Sequence, residues 1–243
     1  MEANLLATVA VTLISSALLW AAMMSIGPLL VTRFARTSWR GQQRDGDAGD
    51  TAPKVTVLVA ARDEDAAIGE RIDNLLGLED PGGGIEILVV SDGSTDQTAT
   101  IVGQRAENAP ADRSIKLVEL AVNQGKDRAI AAGVEVATGE IIALSDATTH
   151  WQSDVLVHIV DALCRPGVGA ASGRVLYRGR DEQVARGFSV YQRMVVAQRS
   201  SGRASGLQAS TSGACSAIWR RCFATFDPDL NSDLQLVLMA AES

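Results

Sequence analysis

The chain has 243 residues, 47% of them hydrophobic and 21% charged, with a formal net charge of −7. That length allows one α/β domain with an appendage. The acidic balance lacks the basic face that phosphate-backbone binding requires, so no nucleic-acid partner is expected. The three cysteines, Cys164, Cys215 and Cys222, match no zinc spacing and are odd in number, which predicts buried plain thiols and no disulfide framework.

Residues 3–32 carry no charge and consist mostly of Leu, Val, Ile, Ala, Met and Trp. A bilayer-spanning helix needs about 20 such residues, and Pro28 ends or kinks it near its far end. A cleaved signal peptide begins with positive residues, but here only Glu2 precedes the run. Arg33, Arg36, Arg40 and Arg44 follow it instead. The expectation is one N-terminal transmembrane helix within residues 1–32. The positive-inside rule then puts the remainder on the cytoplasmic face of the cell (inner or plasma) membrane. Residues 33–53, polar and Gly-rich over 37–50, read as a flexible linker. The folded domain is expected over 54–243.

Residues 55–60 (VTVLVA) are a nearly continuous β-branched run, suited to a parallel strand covered on both faces. Ile68, Ile72, Leu75 and Leu76 then recur at helical spacing, and Pro81-Gly82-Gly83-Gly84 breaks the pattern. Residues 85–90 (IEILVV) form the second strand. Ser94-Thr95-Asp96-Gln97 reads as a capping box opening a helix to about Arg105. Residues 115–120 are a third strand. Residues 126–137 are an Ala/Val-rich helix closed by Gly139, and 141–144 are a fourth strand. Beyond His150, the pattern predicts a helix over 154–164, a strand over 169–177, a helix over 181–199, a Ser/Gly-rich loop over 200–213 and a last helix starting near Asp233. Strands alternating with helices predict a doubly wound α/β sheet.

Each of the first four strands runs into a polar cluster: Arg62-Asp63-Glu64, Ser91-Asp92-Gly93-Ser94, Asn123-Gln124-Gly125-Lys126 and Ser145-Asp146-Ala147-Thr148. In open α/β sheets, ligands bind beyond the carboxyl ends of the strands, so the four clusters together suit a nucleotide. Each has a plainer reading. Asp92-Gly93 can be a turn, Glu64 a solvated first-turn acid, Asn123 with Gly125 a loop, and Asp146 a strand-end cap. Lys126 is harder to account for structurally, since a cation at a helix N-terminus opposes the macrodipole. An anion such as a diphosphate at that position makes sense of it. Gly82-Gly83-Gly84 precedes a strand, so it is no dinucleotide fingerprint, and Gly125-Lys126 lacks the upstream glycine of a P-loop. No Gly-x-Ser-x-Gly elbow exists. Of the two histidines, His158 reads as structural and His150 as a weak second-ligand candidate beside Asp146.

These stretches resemble the family-2 glycosyltransferases with a GT-A (Rossmann-like) nucleotide-sugar-binding fold, in the membrane-anchored polysaccharide-synthase branch. The matching segments are 55–64 (VTVLVAARDE), 90–96 (VSDGSTD), 123–126 (NQGK), 140–148 (EIIALSDAT), 213–220 (GACSAIWR) and 231–236 (NSDLQL). The resemblance implies that Asp92 contacts the base or ribose and that Glu64 and the backbone near Ala61 form the first nucleotide loop. Lys126 would lie near the diphosphate or donor sugar. Asp146 would help hold a divalent metal, Mg²⁺ or Mn²⁺, and Asp233 would act as general base.

Such chemistry is coherent: a hard cation neutralises the departing phosphate, and a carboxylate removes the acceptor proton during an inverting displacement. Two features depart from the family pattern. Thr148 stands where the second acid of Asp-x-Asp stands. The chain also stops at Ser243 without the family's Gln-x-x-Arg-Trp element or C-terminal membrane helices, which implies a fragment or a shortened protein. The leading expectation is therefore an enzyme moving a sugar from a nucleoside-diphosphate-sugar, UDP-linked by preference, to a glycan or lipid-linked acceptor at the membrane. The alternatives are a non-catalytic nucleotide-binding or scaffold protein and, with less support, a nucleotidyltransferase.

Overall fold

The computed structural model describes residues 52–174 and 211–242. The expected membrane helix, all but the last two residues of the linker, and the helix over 181–199 lie outside the described residues. Among the described residues, no helix is long and apolar enough to cross a membrane.

The apolar runs form the strands they predict. β1 (Val55–Ala61), β2 (Ile85–Asp92), β3 (Arg113–Leu120) and β4 (Ile141–Asp146) alternate with α1 (Asp65–Leu76), α2 (Thr98–Glu107) and α3 (Lys126–Val136). α4 (Val155–Leu163), β5 (Ala170–Ser172), β6 (Ser216–Trp219), a 3-10 turn over Arg220–Thr225 and α5 (Ser232–Glu242) complete the described chain. The sheet order is β3-β2-β1-β4-β6-β5. β1 pairs in parallel with both β2 and β4, and β3 in parallel with β2. Every residue of β2 is buried, as are all but one in each of β1 and β4. That is why these segments read as unbroken apolar runs without period-2 alternation. β3, at the edge, is only half-buried and accordingly mixes Arg, Lys and Glu with its aliphatics.

The sheet is mixed: beside the four parallel strands expected, it carries an antiparallel pair at one edge. β6 pairs antiparallel with both β4 and β5. At four residues, β6 is too short to carry a periodic signal of its own. β5 ends at Ser172, with Gly173 and Arg174 outside it, so the strand expected over 169–177 is cut short.

Ile68, Ile72 and Leu75 of α1 are buried, as their spacing requires. α3 lies close on the sheet because residue 133 has no side chain: a Cβ on Gly133 would come 2.5 Å from Leu58 Cδ1 and 3.0 Å from Val90 Cγ2. Full burial of a side chain such as Leu58 contributes roughly 1.5–3 kcal/mol.

The capping box at Ser94 does not form. α2 starts at Thr98 with no side-chain bond at its cap position, Gln97. Asp96 does the local capping instead, its Oδ1 accepting from Thr98 N–H at 2.9 Å and Thr98 Oγ at 2.6 Å. Ser94 is drawn away, its hydroxyl bonded to Ser91 and accepting from the Asp63 N–H. Tertiary partners compete for the same side-chain oxygens that a local motif would use. Cys215 and Cys222 are buried and Cys164 half-buried, all as free thiols.

One buried charge sits at the opening end of β2. Glu86 is fully buried. It accepts from Thr56 Oγ at 2.5 Å and Thr138 N–H at 2.8 Å, and Lys116 Nζ stands 2.7 Å from its other oxygen. Burial alone would raise its pKa, but the hydrogen bonds from Lys116, Thr138 and Thr56 outweigh it and hold the carboxyl at about 2. A carboxyl depressed on folding contributes stability above its unfolded value and loses it as pH falls through its folded value. The contribution should therefore disappear between about pH 4.5 and pH 2. Glu86→Gln should lower stability at pH 7 by roughly 1–3 kcal/mol and flatten the acid limb of the melting-temperature profile over that window. An unchanged limb would show that Glu86 is not the group responsible.

Candidate nucleotide-sugar site

Chain order fixes where a crevice can open. From β1 the chain proceeds outward to β2 and β3, then returns to place β4 on the other side of β1. The carboxyl ends of β1 and β4 thus diverge at a topological switch point, where open α/β sheets bind ligands. Register puts Ala60 beside Asp146 and Ala61 beside Ser91, so the first, second and fourth clusters emerge at one edge.

The loop after β1 is tied to the loop after β2. Asp63 sits in the left-handed region, at φ 51, and its carboxylate accepts from Thr95 N–H at 2.8 Å. Glu64 N–H donates to Thr98 Oγ at 2.8 Å and Asp65 N–H to Asp96 at 2.9 Å. Glu64 opens α1 through its carbonyl, which accepts from Ala67 and Ile68. Its half-buried carboxylate takes no partner among the described residues. Ala61 is buried at the end of β1.

Asp92 is only 4% exposed. Its two carboxylate oxygens accept separately from Gln124 N–H at 2.7 Å and Gly125 N–H at 2.8 Å. Next to it, a Cβ on Gly93 would come 2.4 Å from Asn123 N, so only glycine lets this turn meet the 122–125 loop. In this structure Asp92 therefore holds the loop that launches α3, a role that the expected base or ribose contact did not include. Gly125, at φ 95, precedes α3, and no side chain caps that helix. Its first-turn N–H groups thus form an anion-favouring end. Lys126, the first residue of α3, does not point to an empty anion position: its Nζ bonds Asp146 Oδ1 at 2.5 Å. The structure thus brings Lys126 and Asp146 together, and both stay partly exposed, at 46% and 39%.

Asp233 lies in the first turn of α5, whose start is docked on α3. Ser232 N–H donates to Asp127 Oδ1 at 3.3 Å, and Arg128 pairs with Asp229 at 2.6 Å. The Asp233 backbone is thereby held near the turn that carries Lys126; its side chain is outside the described set. Thr148 is exposed. His150 turns to Asn74, at 3.2 Å, and is not drawn to Asp146. His158 is a surface residue, 76% exposed and 3.3 Å from Asp154, so it does not act as a core histidine.

Arg71 is the residue that sequence reasoning missed. It is 2% exposed and lies beneath the end of β4. Nη2 donates to Ser145 Oγ at 2.7 Å, Nη1 donates to Asn74 Oδ1, and the guanidinium stacks 4.6 Å from the centre of the Trp151 ring. Burial lowers its pKa to about 10, while the potentials of Cys215 and Asp146 act in the opposite sense, so it remains a cation at neutral pH. Burial, in turn, pushes the Cys215 thiol up to about 11 despite Arg71. A signal was available: Arg71 occupies the i+3 position of the apolar stripe begun by Ile68, where a charge has no solvent to reach.

Among the described residues, no cluster of three His, Cys, Asp or Glu side chains could by itself hold a metal ion. Asp146 offers one carboxylate. That donor set fits an ion shared with a diphosphate, since Mg²⁺ commonly takes one or two carboxylates together with substrate phosphates and water.

The mixed α/β sheet, with a basic helix start and an acidic strand end at its switch point, has the α/β architecture of the GT-A fold. Residues 56–225 match the pattern of glycosyl transferase family 2, and the chain belongs to that family of glycosyltransferases. The beta-monoglucosyldiacylglycerol synthase of Nostoc sp. (strain PCC 7120) is 36% identical over 122 residues, 50% of this chain and 26% of that protein. The poly-beta-1,6-N-acetyl-D-glucosamine synthase of Staphylococcus epidermidis is 29% identical over 127 residues, 52% of this chain and 29% of that protein. The matched stretch is thus about a quarter of the length of these curated relatives. Among solved structures, the mannosyltransferase PcManGT of Pyrobaculum calidifontis, in complex with GDP-Man and Mn²⁺, superposes with a TM-score of 0.63 at 27% identity, over 90% of this chain and 60% of that one.

Replacing Asp92 with Ala should free the 122–126 loop even without nucleotide. Loss of a hydrogen bond to a charged acceptor, about 1.5–3 kcal/mol, should speed hydrogen exchange at Gln124 by at least roughly tenfold. Unchanged protection there would remove the loop-holding role.

Proposed function

We propose that this domain binds a nucleoside-diphosphate-sugar, by preference UDP-linked, in the crevice at the ends of β1, β2 and β4. It transfers the sugar with inversion to a glycan or lipid-linked acceptor. The observation that carries the reading is the convergence of Glu64, the Asp92-held loop, Lys126 and Asp146 on one sheet edge. The α3 N-terminus and Lys126 suit the diphosphate. Asp146 would share Mg²⁺ or Mn²⁺ with it, a cation that supplies charge neutralisation for the leaving phosphate. Lys126 then has to exchange Asp146 for phosphate oxygens, so the ion pair is the resting form of the site. Glu64 and the backbone at Ala61 would line the nucleoside side, together with Asp92. Asp233, on the helix docked against α3, is the proposed base for the acceptor hydroxyl.

A location at the cytoplasmic face of a membrane is proposed from the uncharged run over residues 3–32, followed by four arginines. A lipid-linked acceptor accords with the diacylglycerol named in the Nostoc relative.

Calorimetric titration of the full chain with UDP and with GDP, each with Mn²⁺, tests donor binding. Heat is expected with at least one, UDP by preference, and Asp146→Ala should abolish the Mn²⁺-dependent part of it. No heat with either nucleotide would sink the donor reading. Asp233→Asn should leave that heat intact but cut release of nucleoside diphosphate from the sugar donor by roughly 10²-fold or more. Equal release by both proteins would remove Asp233 from the chemistry. Binding without any release by the parent chain would favour the non-catalytic alternative, for which Thr148 in place of a second acid is the motivating feature.

A further inference from the structure

A buried arginine ordinarily meets a carboxylate, because an uncompensated charge in the interior costs several kcal/mol. Arg71 forms no ion pair among the described residues. Its partners are a hydroxyl, an amide oxygen and an indole face, and its Nε has no hydrogen-bond partner. The fold nonetheless keeps this cation under the residue that precedes Asp146. The contact is relayed forward: Ser145 Oγ accepts from Arg71 Nη2 and donates to the Asp146 carbonyl at 3.1 Å. The same cluster fixes the loop that follows β4. Asn74 accepts from Trp151 N–H at 2.9 Å and donates to Trp151 O at 2.9 Å, and Trp151 Nε1 donates to Ala214 O at 2.9 Å. A core tolerates an unpaired cation more readily when negative charge gathers nearby.

We propose that Arg71, acting through Ser145, is a positioning residue of the donor site. It orients Asp146 and supplies a fixed positive charge behind it, so that the diphosphate is retained with less help from a divalent cation. This rests on the donor reading above. The site carries Thr148 where a second acid would strengthen metal binding, and Arg71 shifts the balance the same way: it repels a cation at Asp146 and attracts the phosphate anion. Lys126 supplies mobile charge at the front of the site, and Arg71 supplies immobile charge at its back.

The test measures the dissociation constant of the full chain for the nucleoside diphosphate it binds, once with Mn²⁺ and once with EDTA, and takes the ratio of the EDTA value to the Mn²⁺ value. Arg71→Gln keeps hydrogen-bond donors and removes the charge, and should raise the ratio on the order of tenfold. Ser145→Ala removes a single oxygen and breaks the relay while leaving the charge, so it should raise the ratio less, in the same direction. A purely structural role would lower the melting temperature and weaken binding equally in both buffers, leaving the ratio unchanged. An unchanged ratio in Ser145→Ala, or in a folded Arg71→Gln, overturns the proposal. If the parent chain binds no nucleoside diphosphate with Mn²⁺, the donor reading itself has failed, an outcome separate from the failure of Arg71.

Discussion

Burial of the three central parallel strands on both faces constrains everything else in this domain. β1, β2 and β4 have almost no solvent-facing side. Polar chemistry cannot be placed along them and is confined to their ends. At one end the exception is Glu86, tolerated because two hydrogen bonds and an ammonium meet its charge. At the other end the strands stop at Ala61, Asp92 and Asp146, and the chain turns outward in polar loops. Parallel connection puts all these turns on the same edge, so a single constraint yields both the core and the polar edge.

The loops at that edge are not independent. Asp63, Thr95, Asp96 and Thr98 bind the first loop to the second, and Asp92 binds the second to the loop before α3. α5 reaches the same helix through Asp127 and Arg128. Lys126 therefore has its backbone held from two sides while its side chain stays partly exposed. A rigid backbone with a partly exposed cationic tip is what the proposed exchange between Asp146 and a phosphate requires.

Charge at the site is arranged in depth. Asp146 faces Lys126 in front, where water screens the pair and keeps it weak. Behind the strand end lies Arg71, where water does not reach and charge acts over longer range. The domain thus places two cations, Lys126 and Arg71, on either side of an acidic strand end although the whole chain is acidic, at −7. Composition described the average over the chain and said nothing of this local placement.

The sequence alone determined the first four strands, the helices between them and the edge on which the polar clusters lie, because buried parallel strands leave an unbroken apolar signature and their exits a polar one. It also determined the family, through six short segments in order. Tertiary structure alone decided what those polar groups bond to. Ser94 offered a local cap and was taken by Ser91 and Asp63; Asp92 clamps the 124–125 backbone; Lys126 pairs with Asp146, 20 residues on. β6 escaped notice because four residues carry no period, and Arg71 because its meaning depends on Ser145, 74 residues away. Period and composition are local properties that a chain carries unfolded, whereas a hydrogen-bond partner or a buried charge exists only once distant segments have been brought together.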